Sequence, residues 1–557
     1  MAGSVFHRRT ETSVGEADTT IQVEILRSGS TAGAVTIQYG VFADTATAGL
    51  DYSAAGGTAV MADGASSVFI PITILNDALG EDTELLTVTL ISATGADLAA
   101  PRTNRISIID DETPPPPPPV EPSLESAYDV TLNTVVSGLA QPIRVAFSPV
   151  DPELIYVAEK AGVIRVVDAA SGEVSILLDI RAQTNAFADR GLQDIALHPD
   201  FASNPYVYAF YVVDPAETAA NTGNAGRDGI GNRYSQIVRY TADAATGYRT
   251  LVPESGVVLV GAGGQGLDDI SGGGVLTYTD PVNAAEIASD RVFKAGDRVI
   301  GGFKQDYLKV DSGSHSGGRL HFGPDGMLYV QTGNGTSYNY DDPRTKDVQS
   351  LDSLSGKVLR IDPLTGRGLA NNPFASEAED LDANRAKVFQ YGFRNPFSGA
   401  FDADGRLFIA DVGRFAFEEI NTGGPGANFG WPYYEGGDGG VLVKTPLYSK
   451  HDGAAAFYAA VEAGDVVVTA PFQAFSHGTI LPGYQMQAVV GGGMIEGSAA
   501  YPASLDGHFV FTDFVGGNVF TVDTDDRNAT NFLLDWRAIS DRPISCSATM
   551  GCCTTRT

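Results

Sequence analysis

A chain of 557 residues is too long for one ordinary hydrophobic core, so two or more domains are expected. Its 43% hydrophobic content is that of a globular protein, and no apolar run approaches the roughly 20 residues of a membrane span. The formal net charge of -32 excludes nucleic acid as a partner, because a polyanion is repelled over most of such a surface.

The opening MAGSVFHRRTETS has basic residues with no apolar stretch behind them, so no secretory signal is visible in it. The acidic balance suits a cation-rich extracellular or periplasmic setting and is compatible with association at a cell surface. Cys546, Cys552 and Cys553 all fall near the C-terminal end, which leaves the body of the chain without a disulfide framework or a cysteine metal site.

Residues 1–113 alternate apolar and polar positions through TIQVEILRSG, AVTIQYGVFA, SSVFIPITI, TELLTVTLISA and NRISIIDD, with Gly, Asn and Asp turns between them. Period-two alternation of this kind predicts an antiparallel sandwich. Its acidic residues gather at strand ends: Glu16, Asp51, Asp77, Glu81, Asp110 and Asp111. Oxygens brought together at one pole of a sandwich suit calcium. The SVGE start, the TATAGLDY turn and the terminal IIDDE resemble a Calx-beta domain. That resemblance implies calcium on Glu16, Asp51, Asp77, Glu81, Asp110 and Asp111, with Asn76 where the family often has an aspartate.

Six consecutive prolines at 114–119 make residues 114–124 a stiff polyproline spacer. From 125 to 535 the chain repeats a Gly-strand-turn-strand idea: LIYVAEKAGVIRVVD, GMLYVQTG with GKVLRID, GRLFIADVG, and GHFVFTDF with GNVFTVD. Recurring strand pairs with no helix of convincing length between them predict an all-β propeller of roughly six blades. The Gly- and Asp-rich stretches between 215 and 310 are too long for tight hairpins and predict loops over one face. Strand periodicity is lost in residues 536–557, an aberrant tail.

Two stretches carry chemistry. In SHSGGRLHFGPDG, His315 precedes two glycines and a strand, which places an imidazole at an inner loop where it can act as a general base. His198 and His321 fit packing roles instead. In YGFRNPFSGAFDADGRLFIADVGRFAFEEIN, Arg394 and Asn395 precede a proline at an element's edge, and Gly413, Arg414, Glu418 and Glu419 lie close enough to converge on a hard cation.

GLQDIALHPDF, SHSGGRLHFGPDG, SGKVLRID, YGFRNP, EEIN and NFGWP occur in the order in which they stand in the glucose/sorbosone dehydrogenase family, which residues 130–525 resemble. The resemblance implies a six-bladed propeller that uses PQQ and calcium to oxidise an aldose sugar at its anomeric carbon to the lactone. It implies His315 as base, Arg394 beside the reduced quinone oxygen, Asn395 as a cofactor neighbour, and Asp189 on the substrate side. The Gly413 and Arg414 carbonyls would hold calcium, with Glu418 and Glu419 as the adjacent acids. Ser314 stands where the family has an aspartate before the base, and Glu496 where it uses a lysine for a cofactor carboxylate. These departures leave open a non-catalytic extracellular propeller that binds carbohydrate or protein, and a propeller hydrolase of the lactonase kind.

Overall fold

The computed structural model describes residues 3–43, 46, 51–54, 56–76, 83–109, 134–222, 226–229, 231–264, 293, 296–310, 312–336, 342–414, 416–437, 440–446, 448–451, 453–477, 479–481, 484–497 and 501–535. The chain divides into two compact units, 1–123 and 124–557.

The first unit is a sandwich of two five-stranded sheets. One orders its strands Tyr52–Ser53, Ser67–Ile74, Thr20–Ser28, Gly3–His7 and Ala96–Leu98; the other runs Glu11–Gly15, Thr103–Ile109, Glu84–Thr94, Val35–Ala43 and Gly57–Met61. Alternation decides which side chains face inward: Ile70, Ile72 and Ile74 are buried, while Phe69, Pro71 and Thr73 are exposed. Each isoleucine removed from water contributes roughly 1.5–3 kcal/mol, and Val23, Ile25, Leu86 and Val88 pack against them from the other strands.

Glu16 and Asp51 are both buried at the end of this sandwich where the Ser67–Ile74 strand finishes. Ile74 N donates there to the Thr19 carbonyl at 3.0 Å and Leu75 N to the Asp51 carbonyl at 2.9 Å. The Thr103–Ile109 strand ends there too, since Ile109 pairs with Gly15. Asp77, Glu81, Asp110 and Asp111 lie outside the described residues, as do the proline spacer and the 536–557 tail.

The second unit holds five blade sheets among its described residues, four of them four-stranded and one five-stranded, where the sequence length predicts roughly six blades. Blade 1 is Pro142–Phe147, Leu154–Glu159, Val163–Asp168 and Val174–Asp179; blade 2 is Leu192–Leu197, Tyr206–Val213, Arg233–Thr241 and Val257–Val260, with Leu308–Val310 added to its third strand. Blade 3 is Arg319–Phe322, Leu328–Thr332, Lys357–Ile361 and Val388–Tyr391. Blade 4 is Pro396–Phe401, Leu407–Asp411, Phe417–Thr422 and Gln473–Ser476, and blade 5 is Val489–Ile495, His508–Asp513, Asn518–Asp523 and Thr530–Asp535. The first strands of successive blades touch one another, so the sheets radiate from a common axis with their faces stacked. That stacking buries both faces of the inner strands. Leu154–Glu159, Leu328–Thr332 and Leu407–Asp411 are buried at every position, and they are apolar runs rather than alternations.

A ten-residue helix stands where the repeats predict only strands. Between the third and fourth strands of blade 4 an insertion carries a hairpin, Tyr434–Gly437 with Val441–Lys444, and a ten-residue helix, Ala454–Ala463. Its alanine-rich AAAFYAAVEA has high helix propensity, and glycines with left-handed φ stand at both ends, Gly453 at +93° and Gly464 at +80°. Tyr458 donates its hydroxyl to the Tyr433 carbonyl at 2.8 Å, and the rings of Tyr433, Tyr434 and Phe457 close the cluster.

Candidate functional site

In each blade the loop entering the first strand and the loop joining the second to the third strand open on the same face. Asp189, His315, Arg394 and Asn395 all sit in entering loops, and Asn334, Asp411, Gly413 and Arg414 sit at second-to-third connections. Topology alone therefore gathers these residues on one rim.

His315 takes a left-handed backbone conformation, φ +53°, at a cost of order 1 kcal/mol that the loop offsets with hydrogen bonds. Its N–H donates to Asp189 Oδ2 at 3.1 Å, and its carbonyl accepts from Gly335 N at 2.9 Å. Gly333 is required here because a Cβ on it would come within 2.1 Å of the His315 carbonyl oxygen. The imidazole Nδ1 lies 3.0 Å from Asn334 Oδ1. That oxygen also receives Thr336 N at 3.0 Å, so it is an acceptor, Nδ1 carries the proton, and Nε2 keeps its lone pair. Burial, and next the Arg394 guanidinium, hold the His315 pKa well below its ordinary value, while the bond to Asn334 opposes them.

A line of hydroxyls runs outward from Asn334. Thr336 Oγ1 donates to Asn334 Oδ1 at 3.0 Å, Thr336 and Thr345 hydroxyls lie 3.1 Å apart, and Thr345 Oγ1 is 3.3 Å from Tyr448 OH. Arg414 Nη1 donates to Tyr448 OH at 3.1 Å. Because a guanidinium only donates, the hydroxyls orient toward Asn334, and the blade 4 insertion that carries Tyr448 is tied to the base.

Arg394 is buried, with its guanidinium carbon 5.7 Å from the Trp431 ring centre. Its Nη1 donates to the Val412 and Gly413 carbonyls at 2.8 and 2.7 Å. Its Nε is buried with no partner among the described residues, and the same holds for Asn334 Nδ2. Asn395 turns its amide oxygen toward the base's own loop, accepting from Gly317 N at 3.2 Å. Asp411 accepts from the backbone N–H groups of both Asn395 and Arg394, at 2.6 and 3.0 Å, and burial pushes its pKa up to about 7.

Glu418 and Glu419 are neighbours on a strand and face opposite ways. Glu418 Oε1 meets His477 Nε2 at 2.7 Å, and its Oε2 accepts from Val489 N at 2.9 Å in blade 5. Glu419 accepts from Gly436 N at 2.5 Å and Asn421 Nδ2 at 2.9 Å, and burial pushes its pKa up to about 8. Among the described residues there is no group of three or more His, Cys, Asp or Glu placed to hold a metal ion.

Asp189 has its pKa raised by burial, against the bond from His315 N and the charges of Lys160 and Arg394. Lys160 is itself buried and has its pKa lowered for that reason. Sequence reading passed over Lys160, Asn334, Tyr448 and His477. Asn334 had a faint signal, as a polar residue between two glycines at the end of an apolar strand; the other three come from loops with none.

Residues 139–263 and 282–506 match the family described as Glucose / Sorbosone dehydrogenase. The chain belongs to that family. Residues 1–112 match the Calx-beta domain. Among curated relatives, the glucose/sorbosone dehydrogenase-family chain is 25% identical over 405 residues to HIPL2 protein of Arabidopsis thaliana, covering 68% of this chain and 51% of the relative. It is 25% identical over 316 residues to quinoprotein glucose dehydrogenase B of Acinetobacter calcoaceticus, covering 54% and 52%. It is 24% identical over 285 residues to human Hedgehog-interacting protein, covering 49% and 31%. The chain thus spans about half the length of the first two relatives. No described helix is long and apolar enough to cross a membrane.

Proposed function

We propose that this face oxidises an aldose at its anomeric hydroxyl to the lactone, with His315 as general base and a quinone of the PQQ class as cofactor. The observation that carries the reading is the His315–Asn334 pair, which leaves a neutral imidazole with its Nε2 lone pair free beside a buried guanidinium. A base with that lone pair removes a hydroxyl proton at neutral pH without first losing one of its own. No protein side chain accepts hydride, so a bound quinone supplies the two-electron acceptor.

The donor set fits an anionic planar ligand. Arg394 Nε and Asn334 Nδ2 are buried donors without partners among the described residues, and Lys160 adds a cation at the same rim. Each charged hydrogen bond made to such a ligand contributes about 1.5–3 kcal/mol. Asp189, tied through Oδ2 to the His315 backbone, is positioned to receive a sugar hydroxyl. Calcium at Gly413 and Arg414 does not fit this arrangement, because the Gly413 carbonyl already accepts from Arg394 and a divalent ion there would stand against the guanidinium. In the first unit calcium binds Glu16 and Asp51 with Asp77, Glu81, Asp110 and Asp111, which suits an extracellular or periplasmic protein in millimolar calcium.

The test is to add PQQ, an aldose and an electron-accepting dye to the full chain. Dye reduction that His315→Gln abolishes while quinone absorbance stays bound supports the reading; a bound quinone with no turnover by the unaltered chain, or no quinone binding, overturns it. A second reading is favoured by one observation: Arg394 spends Nη1 on two backbone carbonyls, which makes the rim rigid and suits a surface that only binds. On that reading the face takes a carbohydrate or a protein, in line with the name of the Hedgehog-interacting relative.

A further inference from the structure

Arg190 is fully buried in the loop that enters blade 2. Its Nε donates to the Ser312 carbonyl at 3.0 Å, its Nη2 to the Val310 carbonyl at 3.1 Å and its Nη1 to the Gly229 carbonyl at 3.2 Å. One planar group therefore joins its own loop, residues 187–190, to the turn 226–229 within blade 2 and to residues 312–316, which enter blade 3. Asp189 strengthens the joint to blade 3: its N–H donates to the Gly313 carbonyl at 2.9 Å, and its Oδ2 receives His315 N at 3.1 Å. The loops touch closely, since a Cβ on Gly313 would come within 3.0 Å of the Phe187 ring and 3.3 Å of the Ala188 methyl.

Each of these segments carries a non-glycine residue in the left-handed region: Ala188 at φ +49°, Asp228 at +51° and His315 at +53°. An L side chain is strained there, and it persists only where its surroundings hold it. Eight described non-glycine residues have positive φ, so the gathering of three of them around one guanidinium marks where the rim stores its strain. The turn 226–229 is fastened in turn to the blade 2 loop. Asp228, exposed, accepts from Ala186 N at 2.8 Å through Oδ1 and donates its own N–H to Asp214 Oδ2 at 2.6 Å, and the Gly229 carbonyl also accepts from Asn185 Nδ2 at 3.0 Å.

We propose that Arg190 is a positioning residue for His315: it holds three strained turns in one register and thereby keeps the imidazole against Asn334. Its effect on turnover rests on His315 being the base proposed above; its effect on the ring does not. Lysine in its place keeps the charge but replaces three nitrogens set in a plane by one, which cannot serve carbonyls from separate segments equally.

The test uses the full chain with isotope-labelled histidine, in which the His315 signal is the one that His315→Gln removes. In the unaltered chain that signal should report one neutral ring with its proton on Nδ1. Arg190→Lys, folded by circular dichroism, should split or broaden it as part of the population leaves Asn334. Asp228→Ala, which removes only the exposed anchor of the joined turn, should do the same to a smaller extent. Where the unaltered chain turns over with PQQ, kcat in Arg190→Lys falls by about 10²-fold while quinone absorbance stays bound. A folded Arg190→Lys chain whose His315 signal matches the unaltered one overturns the inference, because a role in stability alone leaves the folded ring where it was. If Arg190→Lys fails to fold, an unchanged His315 signal in Asp228→Ala overturns it equally. An unaltered chain without turnover counts against the reading of the rim and leaves this signal to be decided on its own.

Discussion

Asn334 Oδ1 lies 3.0 Å from His315 Nδ1 and receives Thr336 N as well, so a single neutral amide decides which imidazole nitrogen carries the proton. A neutral partner orients the ring and raises its basicity, but by less than burial and Arg394 lower it. The His315 pKa is lowered, chiefly by burial and then by Arg394, so the imidazole stays deprotonated from neutral pH down past 6.5. If the rim oxidises sugars, kcat/KM holds level across that window and falls only in stronger acid. Asn334→Asp places a carboxylate on Nδ1, favours the imidazolium, and moves the acid limb to higher pH. His315→Gln lowers kcat by about 10²–10⁴-fold while quinone absorbance remains. A pH–rate profile that Asn334→Asp leaves in place would remove His315 from the base role.

Arg394 donates one nitrogen to both the Val412 and Gly413 carbonyls. Arg394→Lys keeps a charge but loses the fork and the contact with Trp431, and quinone affinity should fall by about tenfold or more. Because the guanidinium holds the carbonyls, a calcium chelator should leave dye reduction by the unaltered chain unchanged. A chelator that stops turnover and is reversed by added calcium shows that an ion displaces Arg394.

The first unit should respond to calcium on its own account. Glu16 and Asp51 are both buried at one pole, and a cation there stabilises by RT ln(1 + [L]/Kd), about 2.7 kcal/mol at a hundredfold excess over Kd. Scanning calorimetry of the full chain should show a transition that shifts down by several degrees in chelator. Asp51→Asn should weaken the shift, and a transition indifferent to calcium would leave the acidic pole a solvated end.

His7 is fully buried on the first strand of the sandwich, with neither ring nitrogen partnered among the described residues. Burial lowers its pKa from 6.5 to about 4. The folded unit therefore binds this proton more weakly than the unfolded chain does. Stability is complete above pH 6.5 and is lost as pH falls from there to about 4, by up to about 3 kcal/mol. His7→Leu should flatten that acid limb in urea titrations run across the interval; a limb of unchanged depth would assign the loss to other groups.

Legibility followed burial. The Gly-strand-turn-strand repeats turned out to be second and third strands of blades, such as Leu328–Thr332 with Lys357–Ile361, because stacked sheets bury both faces and leave short apolar runs. The Ala454–Ala463 helix was missed although its alanines and flanking glycines were in view, since the repeats around it set the expectation of strands. At the rim, His315 and Arg394 could be picked out by residue type and by their place before a strand. Asn334 left only a faint trace and Lys160 none, because each gains its role from a neighbour more than a dozen positions away or on another blade.

The order of apolar runs, glycines and turns in the sequence determined by itself that this chain forms a sandwich and a ring of stacked sheets, because local alternation and burial need no distant partner to be read. Only the tertiary structure decided the tautomer of His315, the claim of Arg394 on the Gly413 carbonyl, and the hold of Arg190 on the Ser312, Val310 and Gly229 carbonyls. Those depend on ångström distances between side chains from different blades, which the linear order does not encode.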